Sequence, residues 1–253
     1  MRGQWVHLSG PRRFLGDVLH FASKIPTVPV QRRMSLVEVA AARAAVPQRP
    51  GWPAVFLKAY ALVAAEVPAL RRAYVALPWP HLCEYPTSVA SVAVERDYEG
   101  EPAVFFGRIS SPAKLPLAEV HARIKEFAEA PLESVKPFRK MLRFSRLPRP
   151  VRRLLLWLGL NLERTRPGQF GTFGLSSYSA LGAESLHPLS PLTTTVNYGV
   201  IDPDGSAMVR VVYDHRVTDG ATIARALARL EAVLTGEVLA ELRQMAAPDR
   251  AAA

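Results

Sequence analysis

Acidic residues are scarce in this chain and cysteine is almost absent. Asp and Glu number 22 against 32 Lys and Arg, which leaves a formal charge of +10. A surface of that sign attracts anions: nucleic acid, acidic proteins, phosphorylated cofactors or anionic lipid. The single cysteine, Cys83, excludes an intramolecular disulfide framework and a Cys-rich zinc site. No base lies near it in sequence, so it reads as a small buried residue rather than a nucleophile. No apolar run reaches the roughly 18 residues of a membrane span. The opening residues MRGQWVHLSGPRR lack a signal-peptide core. A cytoplasmic location is the expectation. There is no P-loop and no Gly-x-Gly-x-x-Gly, so nucleotide hydrolysis and dinucleotide redox chemistry find no support. Zinc fingers, RNP-like aromatic strands and basic heptad helices are also missing, and nucleic acid is not expected as the partner despite the charge. His20, His81, His121 and His187 show no metal-ligand spacing, and no metal is expected. His121, near Glu119 and Glu126 on an amphipathic helix, reads as a surface residue.

What is present is an ordinary globular composition, 49% hydrophobic and 21% charged, over a length that can bury a proper core. The apolar spacing predicts a helix over 11–24, ended by Ile25-Pro26. TVPVQRRMSL reads as an edge strand because it carries a proline. Ser35 stands before LVEVAAARAAV with Glu38 three residues on, which predicts a capped helix. A longer helix is expected from Ala54 to Val67. RRAYVAL reads as a strand, and SVASVAV and AVFFGRI as a hairpin. Helices are predicted over 117–130 and over 135–163, the latter broken at Pro148 and Pro150. Strands are expected at 171–178 and 193–201, then a DPDG turn and the strand SAMVRVVYDH. A last helix over about 220–234 precedes an Ala-rich tail at about 246–253. This order predicts a mixed α+β chain forming a single domain over 1–253.

The chemistry concentrates in VVYDHRVTDGA, Val211 to Ala221. An apolar strand ends in Tyr213-Asp214-His215-Arg216, and Asp219-Gly220 opens a helix four residues beyond the histidine. A histidine at a strand end exposes its imidazole, and a neutral imidazole suits a general base acting on a thiol or hydroxyl. The Asp219 carboxylate is placed to cap the helix, or to brace the loop by pairing with an arginine.

The nine residues YDHRVTDGA resemble the signature of the dihydrolipoyl acyltransferase catalytic domains of 2-oxoacid dehydrogenase complexes. The shorter His-x-x-x-Asp-Gly is shared with chloramphenicol acetyltransferase and with peptide-synthetase condensation domains. GTFGLSSYSALG, 171–182, is similar to a Gly-x-Phe-Thr-Ile-Ser-x-x-Gly segment of the same family. WPAVFLKAYALVAAEVPALRRAY, 52–74, resembles one of its helices, with Arg71 where an asparagine is usual. The resemblance implies a chloramphenicol acetyltransferase-like fold, a mixed sheet packed with helices, assembled as a homotrimer or a larger cage. It implies His215 as the catalytic base, Ser176 (or Ser177) as the hydroxyl donor to a tetrahedral oxyanion, and Asp219 as the brace, paired with Arg12 or Arg13. The substrate it implies is a thioester of coenzyme A or phosphopantetheine. No lipoyl attachment is expected in this chain, so a lipoyl arm would belong to a separate lipoyl protein. A noncatalytic trimeric scaffold, or a module docking an acyl carrier, is the alternative.

The chain departs from the family between the serine and the histidine, where the segment is shorter and SPLTTTVNYGV replaces the usual motif, and in one longer, more basic stretch. Residues 136–166 form a basic helical insert holding many of the arginines and the apolar run LLLWLGLNL. It reads as a core helix with solvated basic ends, as the wall of an acyl pocket built with Trp157 and the leucines, or as a docking face. The partner in the last case would be an acidic acyl carrier protein or an anionic membrane surface.

Overall fold

The computed structural model describes residues 3–247. The strands are β1 (Thr27–Ser35), β2 (Arg72–Val75), β3 (His81–Glu84), β4 (Val89–Tyr98), β5 (Glu101–Ser110), β6 (Phe173–Leu175), β7 (Thr194–Tyr198) and β8 (Ser206–Asp214). The helices are α1 (Gly10–Ala22), α2 (Val37–Ala45), α3 (Trp52–Glu66), α4 (Leu117–Glu129), α5 (Lys136–Ser145), α6 (Arg149–Asn161), α7 (Arg166–Phe170), α8 (Gly220–Val233) and α9 (Leu239–Ala246). Six strands form one sheet in the order β1-β8-β7-β6-β4-β5, and β2 pairs with β3 in a separate two-stranded sheet. The three-residue strand β6 runs parallel to both its neighbours, β4 and β7, while every other pairing is antiparallel. The fold is therefore the mixed α and β arrangement that the order of elements predicted.

Helix α3 is apolar on all sides, and such a helix belongs in a core. It lies against the inner face of the sheet. Phe56 stacks on Tyr198 at 4.2 Å, and Tyr60 packs on Phe173 at 4.9 Å while donating to Thr194 Oγ1 at 2.8 Å. Helices α4 and α8 flank α3 and close this layer. At the β5 edge of the opposite, outer face α1 and α5 pack on β5, and α6 packs on α1. The α1–α6 contact holds a buried ion pair, with Arg152 Nε 2.7 Å from Asp17 Oδ2 and Arg153 Nε 3.1 Å from Asp17 Oδ1.

Several local expectations hold. β1 is an edge strand with Pro29 in it, because an edge strand can spare a donor. β4 and β5 form the hairpin, and the break between α5 and α6 falls at Pro148, with Pro150 in the first turn of α6. Others change. Ser35 does not cap α2: it is the last rung of β1, paired with Ser206, and α2 begins at Val37 without a side-chain cap. The ladder with β8 has taken the backbone that a cap needs in an extended, unpaired conformation. The last helix does not end at 234. A π-helical turn, Leu234–Val238, carries α8 into α9, whose Leu239 and Leu242 are buried. Ala246, where the tail was expected to begin, is the last residue of α9, and residues 248–253 lie outside the described residues. The basic insert is the helix pair α5–α6 and the start of α7. No described helix is long and apolar enough to cross a membrane.

Candidate functional site

The turn between β8 and α8 is built around a buried carboxylate. Asp214, fully buried, accepts from Arg216 Nη2 at 2.7 Å and Nε at 2.9 Å, and from the Arg216 backbone N–H at 3.0 Å. The Arg216 guanidinium lies 4.4 Å from the centre of the Tyr74 ring on β2. The Val217 N–H donates to Asp214 O at 3.0 Å, which tightens the turn. Flanked by this clamp, His215 has its backbone tied to Pro26 O at 3.0 Å and its side chain half exposed. Its ring centre is 5.5 Å from that of Tyr213, whose phenol pKa is raised by burial and by the Asp219 charge.

Asp219 occupies the N-cap position of α8 with extended backbone angles, but its side chain accepts no capping hydrogen bond. Its carboxylate is 82% exposed and lies 3.7 Å from His215 Nδ1. Among the described residues it has no arginine within ion-pair distance, and Arg12 lies 3.9 Å from Glu101 instead. The pairing of Asp219 with Arg12 or Arg13 is therefore not made within this chain. The ion pair made within the turn is Asp214–Arg216, two residues that flank the histidine in the same motif.

Ser176 follows β6. Its N–H donates to Val196 O at 3.1 Å, which prolongs the β6–β7 ladder by one residue, and its hydroxyl has no partner among the described residues. Ser177 is engaged: its Oγ donates to Tyr198 O at 2.8 Å and accepts from Ser179 N–H at 3.2 Å. Strand alternation sets Ser176 on the same face as Gly174, and Gly174 pairs with Thr195. A Cβ at Gly174 would lie 3.1 Å from Thr195 Oγ1. Thr195 Oγ1 and both side-chain atoms of the buried Asn197 are unpartnered among the described residues. Buried polar groups are nearly always hydrogen-bonded, so this cluster beside Ser176 holds unused bonding capacity. Sequence reasoning missed it. The signal was the polar alternation in TTTVN, which places Thr193, Thr195 and Asn197 on one face.

Register separates the histidine from the serine. Ser176 follows Leu175, which pairs with Val196, whereas His215 follows Asp214, whose N–H bonds Thr193 O. Ser176 thus sits level with Asn197 and His215 level with Leu192. Five residues along β7 and two strand spacings across it put the two Cα atoms roughly 19 Å apart within one chain.

The remaining expectations fall as follows. His121 is half-buried rather than a free surface group: its Nδ1 accepts from Gly51 N–H at 3.2 Å, and burial lowers its pKa. Cys83 is partly buried, and burial raises its thiol pKa, the opposite of what a nucleophile requires. Leu155 and Leu156 of the insert line a cavity, as an acyl-pocket wall would, but Trp157 is not among its lining residues and is 39% exposed. Among the described residues no group of three His, Cys, Asp or Glu side chains is placed to hold a metal ion.

No family model and no curated protein sequence matches the chain. Solved structures do. A dihydrolipoamide acetyltransferase from Azotobacter vinelandii superposes with a TM-score of 0.70 at 19% identity, over 94% of each chain. In that protein a serine, a histidine and an asparagine four residues further on have been investigated for roles in the catalytic mechanism. The cubic core of a pyruvate dehydrogenase multienzyme complex gives 0.69 at 18% identity, also over 94% of each chain. A probable dihydrolipoamide acetyltransferase from Listeria monocytogenes 4b F2365 gives 0.68 at 15% identity, over 92% of this chain and 94% of that one. The chain has the fold of these acyltransferase cores.

Proposed function

We propose that this protein is an acyltransferase that moves an acyl group from a coenzyme A or phosphopantetheine thioester to a thiol, hydroxyl or amine, with His215 as general base. The observation that carries this reading is the loop YDHRVTDGA itself. It presents an exposed imidazole on a rigid turn, and it does so on the fold of the dihydrolipoamide acetyltransferase cores. The spacing of four from His215 to Asp219 matches the histidine and asparagine investigated in the Azotobacter protein.

Asp219 faces Nδ1 of His215, which favours a proton there and leaves Nε2 as the basic nitrogen. Nε2 takes the proton of the acceptor, whose heteroatom attacks the thioester carbonyl. Negative charge gathers on the carbonyl oxygen, and the free Ser176 hydroxyl is the group suited to donate to it. Collapse expels the thiolate, which recovers the proton from the imidazolium. Ser177, spent on Tyr198 O, is the poorer candidate. The separation of roughly 19 Å, by strand geometry, requires His215 of one subunit to meet Ser176 of another. A homotrimer satisfies that requirement, and larger assemblies are open to it. The charge of +10 suits a phosphorylated cofactor, an acidic acyl carrier protein or a separate lipoyl protein.

The test is thiol release from acyl-CoA thioesters, acetyl to palmitoyl, with dihydrolipoamide and pantetheine as acceptors. His215→Ala is expected to cost about 10²–10⁴-fold in rate. Mixed assemblies of His215→Ala and Ser176→Ala subunits should regain part of the activity, because some interfaces then carry both wild-type groups. Absence of turnover with every pair, from folded and trimeric protein, would refute the reading and favour a noncatalytic scaffold.

A further inference from the structure

The helices over the outer face of the sheet leave a cavity of about 220 Å³ beneath them. A recess of about 50 Å³ adjoins it and shares Phe14, Phe106, Arg108 and Phe170 with it. An apolar protein cavity of about 150 Å³ holds benzene, so on that scale this one takes a chain of about eight carbons. Its walls are aromatic. Phe14 of α1 meets Phe144 of α5 edge-on at 5.8 Å and Phe106 of β5 at 6.4 Å.

Into this apolar space β5 also sets Arg108, half-buried and on the same face as Phe106. Its one hydrogen-bond partner among the described residues is the carbonyl of Gln169, and no described carboxylate lies within 4.0 Å of it. A guanidinium has five N–H donors, so most of its capacity is unspent. Burial lowers the Arg108 pKa, and no neighbouring negative charge counters that. The other lining cation is Lys140, and no acidic residue lines the cavity. Other arginines buried in this chain are provided for. Arg152 is paired with Asp17, and Arg166 donates to the carbonyls of Tyr74, Leu160 and Pro191. A desolvated cation is costly unless its donors are met, and Arg108 spends one bond where the other buried arginines spend several.

We infer that this cavity binds a small amphipathic carboxylate of about eight carbons, its apolar body among the phenylalanines and its carboxylate on Arg108. Arg108, Ser91 and Gly174 lie in register across β5, β4 and β6. Ser176, two residues beyond Gly174, is thus roughly 12 Å from Arg108 on the same face. Under the acyl-transfer reading the bound carboxylate belongs to one of that reaction's substrates. Binding itself does not depend on that reading.

Isothermal titration of the full chain with octanoate, and with neutral octanamide, tests this. Octanoate should bind wild type and His215→Ala equally. Arg108→Gln should weaken octanoate by about ten- to a hundredfold and leave the weaker binding of octanamide unchanged. Arg108→Lys should keep octanoate within about tenfold of wild type, since the charge remains. Leu155→Trp, which fills the space, should abolish binding of both ligands with the circular dichroism unaltered. The inference is overturned if folded wild type does not bind octanoate, or if folded Arg108→Gln binds it as tightly as wild type. Octanoate binding without turnover on any acyl-CoA would refute the acyl-transfer reading and uphold this one; the converse result would do the reverse.

Discussion

Replacing Arg216 with alanine would strand the Asp214 carboxylate at the closed end of β8. That carboxylate is 0% exposed, and its side-chain partners are the Nη2 and Nε of Arg216 at 2.7 and 2.9 Å. Removing one member of a buried pair leaves an uncompensated charge, at a cost of about 3–5 kcal/mol. The reverse substitution, Asp214→Ala, is milder. Arg216 is 33% exposed and keeps water and the Tyr74 ring as partners, so about 1–2 kcal/mol is expected. For a chain of this size each kcal/mol moves Tm by about 2–4 °C. Arg216→Ala should therefore lower Tm by roughly 6–20 °C and Asp214→Ala by roughly 2–8 °C. The double variant should lie well short of their sum, with a coupling of about 2 kcal/mol. Urea unfolding supplies the free energies. Because the same pair holds the turn that presents His215, turnover in either folded variant should, under the acyl-transfer proposal, fall through kcat more than KM. Equal destabilisation by the two single variants, or simple additivity in the double, would refute the asymmetry argued from burial.

Two further predictions follow from packing and protonation. A Cβ at Gly107 would lie 2.2 Å from Cδ2 of Phe127, whose ring is buried, so Gly107→Ala should lower the unfolding free energy by about 1–3 kcal/mol in urea titrations. His121 has its pKa lowered by burial while its neutral Nδ1 accepts from Gly51, so the folded state binds fewer protons than the unfolded one. Its contribution is complete above the unfolded pKa of about 6.5 and is lost as pH falls through the folded value. The Tm of wild type should drop more steeply than that of His121→Gln below about pH 6.5, and parallel curves would overturn the assignment.

Patterns with a short period were readable from the residues in order. The spacing in LAEVHARIKEFAEA marks α4, the alternation around DYEGEP marks the β4–β5 hairpin, and DPDG marks the turn before β8. Each rests on interactions between residues a few positions apart, so the information is local. The identity of the candidate base was legible for the same reason: His215, Asp219 and Gly220 are neighbours in a specific nine-residue string. What escaped were choices made by distant chain. β6 is only three residues long and is inserted parallel between β4 and β7, whose register with it spans more than eighty residues on one side. Ser35 carries a capping-box sequence, yet Ser206 claims it for a ladder. Asp214 and Asp219 are both acidic neighbours of His215. Burial beneath Arg216 and Tyr74 ties the first into an ion pair and leaves the second exposed beside the imidazole. Arg108 looks like any basic residue of a hairpin until α1, α5 and α7 close over it. Periodicity and motif thus wrote the elements and the candidate base. Pairing partners, the burial of each charge and the distance from His215 to Ser176 arise from contacts across the fold, where desolvation and register decide which polar groups are satisfied and which stay open to a ligand.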